Sequence, residues 1–192
     1  RVNVMARGMT PDVLFRYLLE KNGIRPEADI VLDYSYPTHI ELANAVAAGQ
    51  AELAVLSEPL VSMVAARNMN IHPILDLNTE WEKTTGIAMA QTALLAKGHM
   101  IDHNPELVER VIDACRRSVE WVNTNPDSAA ILIADYGILP DVQTAVASIP
   151  RSHMDFKRAG DISAEIEAYL RIFFNMEPDI TGGKIPDEAF TY

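Results

Sequence analysis

The sequence predicts an α/β fold: a mostly parallel β-sheet covered by helices up to residue 77, then a mainly helical remainder. Three observations carry this. Short apolar runs alternate with amphipathic runs from Val2 to Leu75, and repeated β–α–β with short connections makes parallel strands flanked by helices. Helix-start and helix-stop residues bracket those amphipathic runs. From Asn104 onward apolar residues recur at helical spacing with few interruptions.

The first apolar run predicts a strand over residues 2–6. Arg7-Gly8-Met9 leads from it into a helix predicted over 11–22, where Val13, Leu14, Tyr17 and Leu18 form the apolar face. Thr10 is the expected N-cap, Pro11 suits the first helical position, and Asp12 adds a favourable first-turn charge. Gly23 is the expected left-handed stop, with Ile24 returning to Leu19 as in a Schellman motif. Residues 30–34 read as a strand. Thr38 and Glu41 form a capping box for a helix over 39–48, closed by Gly49. A strand over 53–56 and a helix over 58–67, capped by Ser57, follow. Residues 71–75 read as a further strand, placed at an edge because Pro73 lacks an N–H.

Residues 78–86 are polar and read as a linker, in which Trp81 would be a lid or a prop. Residues 87–97 are a long apolar run, read as a strand crossing between sub-domains. Helices are predicted over 104–122, 126–136, 140–148 and 162–174, and Gly182-Gly183-Lys184 as a turn. Leu107, Val108, Val111, Ile112, Cys115 and Val119 form the stripe of the first of these. Wide apolar helix faces need a layer to cover, and one strand is not a sheet. The chain opens on Arg1-Val2-Asn3-Val4 without a methionine. The expectation is therefore that strands of this second part, and any signal segment, precede Arg1 and were cleaved or omitted.

The 192 residues are 48% hydrophobic and 22% charged, with a formal net charge of −11. This argues against nucleic acid as a partner, since no Lys/Arg-rich run is present. No stretch of 18 apolar residues marks a membrane span. Cys115, the one cysteine, cannot form an internal disulfide and reads as a small buried hydrophobe. His99 and His103 come nearest to metal-ligand spacing but fall in a Gly- and Asp-rich loop, so no metal or cofactor is expected. No nucleophile-and-base arrangement and no phosphate loop is present.

Three loops remain, each after a strand and before a helix. In α/β sheets ligands bind beyond the carboxyl ends of the strands. The candidate ligand-binding residues are therefore Gly8, Met9, Thr10 and Pro11 in the first loop, Tyr36 in the second, and Ser57 and Glu58 in the third. The first helix start offers N–H groups and partial positive charge to an oxyanion. Asp12 and Glu58 disfavour a bare anion and suit an amine or ring N–H. The combination favours a zwitterion or heterocycle over nitrate.

Gly8-Met9-Thr10-Pro11-Asp12, Leu18-Leu19-Glu20-Lys21-Asn22-Gly23-Ile24 and the run Ala48-Gly49-Gln50-Ala51-Glu52-Leu53 through Ser57-Glu58-Pro59 resemble the second lobe of substrate-binding proteins of ABC transporters, of the nitrate/sulfonate/taurine type. Asp76-Leu77 with Glu80-Trp81, Ser118-Val119-Glu120-Trp121, Ile149-Pro150-Arg151 and Gly182-Gly183-Lys184-Ile185-Pro186-Asp187 extend the resemblance along the chain. It implies a periplasmic-binding-protein-like fold of two lobes with ligand in the cleft between them. On that map residues 1–77 are lobe two, 78–97 the hinge and return strand, and 98–192 the helical C-terminal part of lobe one. The implied function is non-catalytic capture of a small polar ligand for import through a membrane permease. The implied location is the periplasm, or the extracellular face with a lipid anchor. The same fold also serves enzymes of thiamine-pyrimidine and menaquinone-precursor synthesis and effector domains of regulators. An enzyme would want a reactive rim histidine, for which His39 is the candidate.

Overall fold

The computed structural model describes residues 1–5, 7–187 and 190–192. Ala6, the expected end of the first strand, lies outside the described residues. Three strands, β1 (Val2–Val4), β2 (Leu32–Asp33) and β3 (Ala54–Val55), form a parallel sheet in the order β2-β1-β3. The register pairs Asn3 with both Asp33 and Ala54. All three residues of the central strand are buried. β2 and β3 are shorter than their apolar runs at both ends.

Helices α1 (Thr10–Lys21), α2 (His39–Ala47) and α3 (Leu60–Arg67) follow the three strands. Gly23, at φ 74°, closes α1. Its N–H bonds the Glu20 carbonyl and that of Ile24 the Leu19 carbonyl, the expected Schellman pattern. Thr38 and Glu41 make the reciprocal capping box of α2. Two starts differ from expectation. The N-cap of α1 is Met9, so Thr10 is already helical and caps nothing by its side chain. Helix α3 begins at Leu60 after a cis Glu58–Pro59 bond, and the Ser57 backbone carbonyl, not its hydroxyl, accepts from Leu60 and Val61.

Residues 78–86 are not a linker. Asp76 accepts from the N–H groups of Asn78 and Thr79 and starts helix α4 (Leu77–Thr85). Trp81 points inward from α4 and is wholly buried with Val13, Leu14, Leu18, Tyr169 and Phe173. Leu77 packs beside it, so two apolar residues anchor this otherwise polar helix, most of the buried surface coming from the tryptophan. Residues 71–75 form no strand. Pro73 cannot donate to a ladder, and Ile74 and Leu75 are exposed. Residues 87–97 are likewise irregular, with Leu94 and Leu95 exposed. An apolar run becomes a strand only beside a partner that satisfies its N–H and C=O groups.

By its own packing the chain divides into two compact units. One comprises Arg1–Met89 with Ser163–Tyr192, the other Ala90–Ile162. The first holds the sheet, α1 to α4, and α9 (Ser163–Met176), which packs against α1. Its interior has a cluster around Met5, Leu42, Val46 and Val64, a second around Val4, Leu19, Leu32 and Val55, and the Trp81 cluster. Complete burial of a side chain such as Leu42 stabilises by roughly 1.5–3 kcal/mol.

The second unit contains α5 (Gly98–His103), α6 (Pro105–Thr124), α7 (Pro126–Asp135) and α8 (Val142–Ser148). Helices α7 and α8 bury Ala129, Ala130, Leu139 and Ala145. Asp141 caps α8 by accepting from the Thr144 N–H at 2.7 Å and its hydroxyl at 3.0 Å. Arg158 forks onto both oxygens of Glu109. His99 and His103 lie on α5 rather than in a loop, and His103 Nδ1 sits 2.9 Å from the His99 carbonyl oxygen. Cys115 is half-buried rather than a core residue.

Candidate functional site

Parallel strands end at one edge, so the segments leaving β1, β2 and β3 emerge together and run into α1, α2 and α3. This edge carries Gly8, Met9, Thr10 and Pro11 from the first segment, Tyr36 from the second, and Ser57 and Glu58 from the third. Met9 is 55% exposed and Thr10 is exposed, while Pro11, Tyr36, Ser57 and Glu58 are half-buried. Tyr36 leans on the Met5–Leu42 cluster. A Glu58 carboxylate oxygen accepts from the Ser62 N–H at 3.2 Å, so Glu58 serves the start of α3 while partly facing solvent.

The first segment is held by a carboxylate. Gly8 adopts φ 82°, a left-handed backbone that glycine enters without steric cost. Its N–H donates to Asp12 Oδ2 at 2.8 Å. Asp12 is fully buried, so its first-turn charge faces the interior. Its other partners explain how a carboxylate survives there. The Tyr34 hydroxyl donates to Oδ1 at 2.7 Å and Arg16 Nε donates to Oδ2 at 3.1 Å. A buried carboxylate is tolerated only with such partners. Asp12 thereby reaches back over the helix start. This turns Met9 into the N-cap and leaves the Thr10 hydroxyl outside the capping pattern.

Arg16 is bound at its other end as well, with a second nitrogen donating to Glu177 Oε2 at 3.1 Å. Burial alone would pull its pKa down, but the Asp12 and Glu177 charges outweigh that and hold it above the ordinary value. Burial, then the hydrogen bond to Asp12, pushes the Tyr34 phenol up to about 12. The Arg7 guanidinium sits 5.9 Å from the centre of the Tyr34 ring and pairs with Glu27 at 3.1 Å. Asp33, at the end of β2, pairs with Arg1 and is held below its ordinary pKa chiefly by hydrogen bonds from Ser35.

The structure thus brings every expected site residue to one edge. It adds Arg16 and Glu177, ties Tyr34, a tyrosine of the second segment, to Asp12, and redefines Asp12. The i,i+4 spacing of Asp12 and Arg16 was the available sequence signal for their pairing. Nothing local marks Glu177, which lies 161 positions from Arg16. His39, the rim histidine, opens α2 with its Nδ1 buried and no hydrogen-bond partner among the described residues. Among the described residues no group of three or more His, Cys, Asp or Glu side chains gathers as a metal site. No described helix is long and apolar enough to cross a membrane.

Residues 8–129 match the family model described as NMT1/THI5 like, a span containing all three rim segments. The whole chain superposes on a crystal structure of an ABC transporter from Parabacteroides distasonis with a TM-score of 0.85 and 26% identity. The match covers 100% of this chain and 65% of that one. At that similarity the fold is shared, which makes this an α/β, periplasmic-binding-protein-like chain. No curated protein matches it in sequence. With its rim segments inside a match that spans more than half of its residues, the chain belongs to the NMT1/THI5-like family.

Proposed function

We propose that this chain belongs to an extracytoplasmic solute-binding protein. It captures a small polar ligand for import through an ABC-type permease, and it acts without catalysis. On this reading its place is the periplasm or, with a lipid anchor, the outer face of the membrane, and residues 1–77 belong to the ligand-binding lobe two. The observation that carries the reading is the convergence of three helix-starting segments on one sheet edge, with Gly8 fixed by a buried carboxylate. The family match and the likeness to a solved ABC transporter support it. Ligand contacts centre on Met9, Thr10 and Pro11, with Gly8, Tyr36, Ser57 and Glu58 around them.

The charge inventory favours a particular ligand class. The Gly8 N–H is already donated to Asp12, which removes one donor from any incoming oxyanion. Two carboxylates, Asp12 and Glu177, share the one guanidinium of Arg16. Glu58 stands half-buried on the same rim. An excess of negative charge suits a ligand carrying an amine or ring N–H, so a zwitterion such as taurine or an amino-heterocycle is preferred over nitrate. A thermal-shift series with nitrate, taurine and an aminopyrimidine tests this. A ligand at 100 times its Kd adds about 2.7 kcal/mol. Thr10→Ala weakens binding by about 0.5–1.5 kcal/mol through one lost hydrogen bond. Glu58→Gln weakens an N–H ligand and strengthens a simple anion. Turnover of the bound compound refutes the binding reading.

The second reading is an enzyme of the same fold, favoured by one observation: the buried Nδ1 of His39 on the rim. Loss of turnover in His39→Ala, with the fold intact by circular dichroism, would establish it.

A further inference from the structure

We propose that Glu177 is a positioning residue for the rim segment formed by Gly8, Met9 and Thr10, acting through Arg16 and Asp12. The glycine end of the segment is anchored by the Gly8 N–H on Asp12, and the helix end by the Val13 N–H on the Met9 carbonyl. That anchor on Asp12 holds only while the carboxylate stays in place, and its ion-pair partner is Arg16. A guanidinium presents its donors in a rigid planar fork. Asp12 takes Nε and Glu177 takes a terminal nitrogen, so the two carboxylates fix the plane of the fork between them. The Arg16 side chain is only 17% exposed. The Glu177 side chain is 43% exposed, so without it water must take over the terminal nitrogen. A mobile water fixes the plane of the fork less firmly than a carboxylate, and the fork can rotate off Asp12.

Glu177 is well placed for this. Its backbone N–H bonds the carbonyl of Phe173, which is buried against Tyr169 at the end of α9. Its carboxylate also lies directly over the glycine, since a Cβ on Gly8 would meet both oxygens at 3.6 Å. Glu177 therefore stands beside the segment as well as holding the charge pair beneath it. The proposal rests on the reading that this rim binds ligand only for its consequence, not for the ordering of the segment.

Amide hydrogen exchange on the 192-residue chain tests it without ligand, because exchange reads local opening separately from global stability. In Glu177→Ala the Gly8 amide exchanges at least tenfold faster, while the Ala45 and Val46 amides of α2 keep their rates. Glu177→Gln, which retains an oxygen for Arg16, falls between. A Gly8 rate within twofold of the parent, or equal acceleration in α2, overturns the proposal. Calorimetric titration with taurine reads the consequence: a parent chain that binds it is weakened at least threefold by Glu177→Ala. A loosened segment with unchanged taurine affinity upholds the role of Glu177 and overturns the placing of ligand at this rim.

Discussion

The two compact units are built from helices of similar local quality, yet they bury them very differently. In the sheet-containing unit, α1 buries Asp12, Val13, Leu14, Leu18 and Leu19 and α2 buries Leu42, Ala43, Ala45 and Val46. In the helical unit the long α6 buries Val108 alone, while Leu107, Val111 and Trp121 remain 40% exposed or more. Exposed Leu132, Tyr136 and Ile138 continue that apolar surface around α7. Amphipathic spacing is enough to form a helix, but stability comes from the layer that receives its apolar face. The sheet is that layer in the first unit, and no strand is described in the second.

The sharpest way to break this comparison uses the two tryptophans. Trp81 is wholly buried among aromatic rings, with centroids 5.5 Å from those of Tyr17 and Tyr169. Trp81→Ala is expected to destabilise its unit by about 3–5 kcal/mol. Trp121→Ala, on the exposed face of α6, is expected to cost under about 1 kcal/mol. Denaturant unfolding followed by circular dichroism measures both. Similar costs would mean that the α6 face is covered in solution.

Caps provide the complementary test, because they act locally and should not sense the difference between units. Thr38→Ala in the first unit and Asp141→Ala in the second are each expected to cost about 1 kcal/mol. Thr10→Ala, whose hydroxyl caps nothing, is expected to change stability by less than about 0.5 kcal/mol. A large loss at Thr10 would restore it as a cap.

Smaller still are the pH effects. Hydrogen bonds from Thr144, the backbone N–H first, hold the Asp141 pKa below its ordinary value of 3.8. Its contribution is therefore present above that value and is lost as pH falls through the lower folded pKa. The melting temperature of the parent should drop more steeply below pH 4 than that of Asp141→Asn. Tyr34 runs the other way. Its folded pKa is raised to about 12 from 10.0, so its contribution is full below pH 10 and fades as pH rises toward 12. Comparing phenolate absorbance of the parent with that of Tyr34→Phe should show one tyrosine ionising late. An ordinary pKa there would mean that the burial of Tyr34 and its hydrogen bond to Asp12 are not maintained.

The sequence by itself determined the alternation of strand and helix, the capping box of Thr38 and Glu41, the stop at Gly23, and the strand-to-helix segments that hold Gly8, Met9, Thr10, Pro11, Tyr36, Ser57 and Glu58. All of these depend on interactions within about five residues or on the period of one element, and both can be read along the chain. Only the tertiary structure decided which apolar runs would pair. Residues 71–75 and 87–97 have strand composition yet form no strand among the described residues. Polar residues 78–85 became part of a helix because Leu77 and Trp81 found a core. The inward turn of Asp12 was equally invisible, since it depends on Tyr34 from the second segment and, through Arg16, on Glu177 at the end of α9. A carboxylate beside a helix start can face water or the interior with the same local sequence. The choice rests on whether distant donors arrive to replace its hydration, and that is a property of the assembled fold.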